Sequence, residues 1–156
     1  MPDTLDTQGF KKILLAYDGS HEGRVALRCA EPLLQSPNTV LHLLAVVPLT
    51  GALATTEGFY TEAMYDAERE RVQGILDEGV ELLQKRGLHA DGHLRAGQPA
   101  HQISELAAEL GVDLVVVGHH HRGVLARWWQ GSVGASLLDK LECNLLVAQE
   151  PDQNTG

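Results

Sequence analysis

Gly118, His121, Gly131 and Ser132 stand in the spacing G-x2-H-x9-G-S, immediately ahead of a segment patterned as a helix. Glycine lets backbone approach a phosphate without a side-chain clash, and the unbonded N–H groups of a helix start point at such an anion. Ser132 suits a helix cap or a hydroxyl bond to a phosphate oxygen. An imidazole at 121 can hydrogen-bond a phosphate and gains charge at mildly acidic pH. Arg122 and Arg127, on the same stretch, would supply charge for a polyphosphate. The helix dipole itself is worth only ~0.3–1 kcal/mol, up to ~2 when partly buried. Binding a polyphosphate to a chain with 12 basic and 21 acidic side chains, formal charge −9, therefore calls for several N–H bonds and Mg²⁺. The same Gly131-Ser132 pair reads equally well as a plain turn and N-cap.

The elements that must position these residues follow from hydrophobic pattern. Continuous apolar runs at 13–17, 39–47 and 113–118 suit strands buried on both faces. A more polar run, 88–95, suits a sheet edge, and 144–149 forms a last strand. Helical periodicity marks 22–34, with Pro32 kinking or ending it, and then 61–86, a helix opened by Gly97-Gln98-Pro99 and stopped by Gly111, and 132–141. The sum, βαβαβαβαβ, predicts an α/β fold: one doubly wound, five-stranded parallel sheet with helices on both faces. Hydrophobicity favours the order 3-2-1-4-5, with 2-1-3-4-5 as its competitor. In the first order, strands one and four are neighbours, and their carboxyl ends bring Asp18-Gly19-Ser20 and Gly118 to one crevice. The domain spans 10–150, with polar tails at 1–9 and 151–156.

Several chemistries are disfavoured. Cys29 and Cys143 match no zinc spacing and make no disulfide scaffold; both read as small core residues in a reducing, cytoplasmic setting. The acidic balance opposes nucleic acid and anionic membranes, and no apolar run approaches the ~20 residues of a membrane span. Neither a Walker loop nor a GxGxxG after the first strand is present. No nucleophile–base pair suggests itself. Three consecutive histidines, His119 to His121, invite a metal, but adjacent loop side chains seldom converge on one ion, so no protein metal site is expected. His42, His89, His93 and His101 read as ordinary strand and helix positions.

Ile13 to Ser20, Gly97-Gln98-Pro99, Asp113 to Gly118 and Gly131-Ser132-Val133 occur in order over Phe10 to Ala148 and resemble the universal stress protein family. The resemblance implies binding of ATP, ADP or AMP. Gly118, Gly131, Ser132 and Val133 would lie at phosphate and ribose, Asp18 at the ribose, and the backbone of Ala16 and Val46 at the adenine edge. His121 replaces the second glycine of the family's G-x2-G-x9-G-[S/T] loop, a change that costs about 1–3 kcal/mol where positive φ is required. Gly118-His119-His120 is similar to the branch of the family thought not to bind ATP. The expectation is an adenine-nucleotide-binding regulatory or stress-response protein with slow or no hydrolysis. The alternative is a dimeric interaction module without nucleotide, using the histidine loop and Trp128-Trp129 as its surface. The family also implies a homodimer through Asn144, Leu145, Leu146, Val147 and Ala148, which would cover an otherwise bare apolar strand edge.

Overall fold

The computed structural model describes residues 9–48, 61–119 and 137–150. Its elements run β1 (Lys12–Ala16), α1 (His21–Ala30) with a 3₁₀ turn (Glu31–Leu34), β2 (Val40–Pro48), α2 (Glu62–Gln84), β3 (Ala90–Gly97), α3 (Pro99–Leu110), β4 (Leu114–Gly118) and β5 (Asn144–Ala148). Residues 137–140 are also helical. All five strands pair in parallel in the order β3-β2-β1-β4-β5. That is the expected doubly wound sheet, and the competing order is excluded.

Strand β1 sits at the centre because it is apolar on both faces: Ile13, Leu14 and Leu15 are wholly buried. Ile13, Leu15 and Tyr17 join the core under α1 and α2, while Leu14 and Ala16 join the core under α3 and Leu137. Its start is pinned by Asp113, whose carboxylate accepts from the Lys11 and Lys12 amides at 2.8 and 3.0 Å. The Asp113 amide donates back to the Lys12 carbonyl at 3.0 Å, and the Asp113 carbonyl accepts from the Asn144 side chain at 3.0 Å. One residue thus aligns the first turns of β1, β4 and β5.

The helix boundaries have local causes. Pro32 lies in the first turn of the 3₁₀ segment that ends α1, as its ring requires. Gly111 closes α3 in the left-handed conformation, φ +66°. Gly79 lets α2 lie low on the sheet, since a Cβ there would come within 2.7 Å of Leu43 and 2.8 Å of Tyr17. Cys29 corrects the sequence reading: it is exposed, not core. The buried arc of α1 is centred on Gly23, Ala26, Leu27 and Ala30, and Cys29 falls off its edge. Cys143 is half-buried, with its thiol pushed up by burial and the nearby Asp113 carboxylate.

His42 is not an ordinary strand position either. It is 8 % exposed on β2, and its Nδ1 lies 3.0 Å from Nε2 of His93 on β3. One imidazole donates and the other accepts, so the bond cannot survive protonation of both rings. Burial holds both rings below the ordinary histidine value of 6.5; beyond it, the His93 ring and Lys12 press on His42 against Asp91, and Arg95 presses on His93 against Asp91 and Glu109. The folded state therefore binds fewer protons than the unfolded chain between 6.5 and the depressed folded values. Stability should be fully present above pH 6.5 and fall as pH drops through that window. Melting temperatures from pH 8 to pH 5 check this: a decline beginning near pH 6.5, flattened by the double replacement His42→Leu, His93→Leu, is expected.

Candidate functional site

The turn after β1 is built from short polar side chains. Ser20 caps α1, its Oγ accepting from the Gly23 amide at 3.0 Å. Asp18 Oδ1 in turn accepts from the Ser20 amide at 3.0 Å and from the Ser20 hydroxyl. The chain Asp18–Ser20–Gly23 fixes the carboxylate through a helix cap rather than through a charged partner. Asp18 Oδ2 makes no hydrogen bond to a described residue.

Asp18 opens onto a cleft of about 180 Å³ at the carboxyl ends of β1 and β2. Ala16 and Tyr17 come to it from β1 and the following turn, and Leu44, Val46 and Pro48 from β2. Arg71, Val72 and Ile75 form a wall on α2, and Pro99 closes it from the first turn of α3. Among the described residues the lining is mainly apolar, with one carboxylate and one guanidinium. That composition suits a small, largely apolar ligand carrying a few polar groups.

Three sequence-predicted positions, Ala16, Asp18 and Val46, are brought together here. The cleft lies over the ends of β1 and β2, whereas the sequence reading centred the crevice between β1 and β4. His121, Arg127, Gly131, Ser132 and Val133 lie outside the described residues. Sequence reasoning missed Tyr17, Leu44, Pro48, Arg71, Val72, Ile75 and Pro99 as cleft residues. Val72 and Ile75 were readable as the apolar face of α2, but nothing in their periodicity says which end of the sheet they cover.

Gly118 ends β4 and is buried. It has a packing requirement of its own, because a Cβ there would lie 2.3 Å from the Glu22 carbonyl oxygen and 2.7 Å from its carbon. Backbone of α1 cannot yield as a flexible side chain would, so this glycine permits the close seating of α1 on β4.

Tyr17 braces the far side of the turn. It is 2 % exposed, and its hydroxyl faces Glu78 Oε1 at 3.4 Å, the same oxygen that accepts from Arg24 Nη2 at 2.6 Å. Burial, then the Glu78 charge, raises the phenol above its ordinary value. The ring ties α1 and α2 to the end of β1. Among the described residues no group of three or more His, Cys, Asp or Glu side chains could hold a metal ion.

The sequence profile described as "Universal stress protein family" matches residues 9–149. The chain belongs to the universal stress protein family. A universal stress protein of Bacillus subtilis (strain 168), YxiE, is 32% identical over 148 residues, covering 90% of this chain and 99% of that protein. The solved structure of the protein MJ0577 superposes with a TM-score of 0.75 at 22% identity, over 91% of this chain and 97% of that one. The universal stress protein from Archaeoglobus fulgidus in complex with dAMP has a TM-score of 0.61 at 20% identity, covering 87% and 95%. The match to this family extends over both halves of the sheet, so the cleft lies within the shared fold.

The close approach at Gly118 makes a prediction independent of any ligand. Gly118→Ala should cost about 1–3 kcal/mol of stability, the usual range for overpacking, read as a lowered urea midpoint with the slope unchanged. An unaltered midpoint would mean that α1 can shift away freely.

Proposed function

We propose that this chain binds an adenine nucleotide (ATP, ADP or AMP, with Mg²⁺ for the polyphosphates) and acts as a regulatory stress-response protein. The observation that carries the reading is the convergence of Ala16, Asp18 and Val46, from two strands, on one largely apolar cleft. Apolar walls suit a base, and a fixed carboxylate suits the hydroxyls of a sugar. The A. fulgidus relative with dAMP supports the class of ligand. His121, Arg127, Gly131, Ser132 and Val133, with Gly118, are the residues proposed for phosphate and ribose.

Hydrolysis is expected to be slow or absent. Among the described residues the carboxylate lining the cleft is Asp18, and one of its oxygens is committed to Ser20, which leaves a poor base for activating water. A cytoplasmic setting is proposed on the two free cysteines.

Calorimetry of the full chain with ATP and Mg²⁺ tests the proposal; saturable heat is expected, and none up to millimolar nucleotide would reject it. Asp18→Asn, which can still accept from Ser20, should weaken binding by roughly tenfold or more, the scale of a lost charged hydrogen bond. Mass spectrometry of freshly purified, denatured protein should show which nucleotide is retained.

Self-pairing is proposed through β5. Among the described residues this strand is bonded on one side, to β4, and Leu145, Leu146 and Val147 are half-buried. An apolar edge of this kind is a template for a second strand. Light scattering should give twice the chain mass, and Leu146→Lys should shift it toward the single chain.

A further inference from the structure

Among the described residues Arg71 is the cation in the cleft lining, and a neighbour on α2 holds its guanidinium. Its Nε donates to Glu68 Oε2 at 3.0 Å and its Nη2 to Glu68 Oε1 at 2.6 Å, a two-pronged bond to the residue one turn back on the same helix. The Arg71 side chain is otherwise 58% exposed and carries many rotamers that would have to be frozen on binding. The carboxylate freezes them in advance and makes the guanidinium a plate of fixed orientation. Nη1 makes no hydrogen bond to a described residue, since the two bonds to Glu68 use Nε and Nη2.

Two features decide what such a plate does. Glu68 offsets the positive charge, so the pair adds little net attraction for a phosphate chain. The neighbouring wall residues on α2, Val72 and Ile75, are apolar, as are Ala16, Leu44, Val46 and Pro99 across the cleft. A slot with apolar sides and one planar, partly neutralised cation matches a flat heteroaromatic ring better than an anion.

We infer that Arg71 recognises the base of the bound nucleotide by laying its guanidinium against the ring from the α2 side, with Glu68 as the positioning residue. The assignment rests on the nucleotide reading above and extends it to a wall of the cleft that no sequence motif marks. Charge and planarity separate at this position. Lysine keeps the charge and loses the plane, and tyrosine keeps a plane and loses the charge.

The test is titration calorimetry of the full chain with ATP and Mg²⁺, with melting temperatures recorded alongside. Arg71→Ala should weaken binding by roughly 3- to 30-fold, the range of a cation–π contact, with the melting temperature unchanged. Arg71→Lys, which keeps a point charge without the stacking plane, should recover no more than part of the loss, and Arg71→Tyr should likewise recover part of it. Glu68→Gln, which leaves the arginine in place, should weaken binding by a smaller factor. Full rescue by lysine would assign Arg71 to phosphate and overturn the inference, as would unchanged affinity in Arg71→Ala. Absence of binding by the folded wild-type chain would overturn the nucleotide reading itself, an outcome distinct from either.

Discussion

Burial of β1 on both faces is the constraint from which the rest of the architecture follows. A strand with Ile13, Leu14 and Leu15 wholly out of water cannot lie at an edge, and it needs helices above and below it. It takes β2 on one side and β4 on the other, which forces α1 and α2 onto one face and α3 onto the opposite one. The winding then reverses beside β1, where the chain returns from β3 to β4, and the carboxyl ends of β1 and its neighbours are left without a crossing helix. The cleft is what remains there. Its walls are supplied by α2 on one side and the proline-led start of α3 on the other.

Much of this was legible because parallel sheets write themselves as uninterrupted apolar runs punctuated by glycine and proline. The runs at 13–17 and 113–118 marked the two central strands, and Pro32, Pro99 and Gly111 marked helix ends. Less legible was anything that depends on which residues face each other across long separations. His42 and His93 are 51 positions apart, and only the β2–β3 register brings their rings into contact. Arg71 belongs to the polar side of a helical pattern, where charged residues ordinarily mean solvent; its place at the cleft depends on how far α2 extends past the strand ends. Cys29 shows the reverse error. A helical stripe can be drawn through it, but the buried arc of α1 is set by the fit of Gly23, Ala26 and Ala30 against the sheet.

Gly118 illustrates how one residue can satisfy two readings. In the sequence it begins a spacing shared with nucleotide-binding loops, and in the fold it is the point at which α1 backbone meets β4 without room for a methyl group. Helix α1 seated this closely holds its cap, Ser20, beside Asp18, so a packing requirement in β4 also sets where the carboxylate of the cleft stands. Tyr17 does the same from below, with Gly79 making room for its ring and Glu78 and Arg24 holding its hydroxyl. The cleft geometry is thus a by-product of close contacts made for stability.

Asp113 carries a consequence for how the protein comes into being. The amides at the start of β1 are bound by a side chain made 101 and 102 residues later. Because synthesis runs from the N-terminus, β1 and its partner β2 precede β4, and one flank of β1 has no partner strand until β4 is made. That interval exposes a strongly apolar edge to other nascent chains, the situation in which slow, long-range pairing invites aggregation or chaperone capture. The carboxylate at 113 ends the wait, because it arrives just ahead of β4 and binds the amides that open β1.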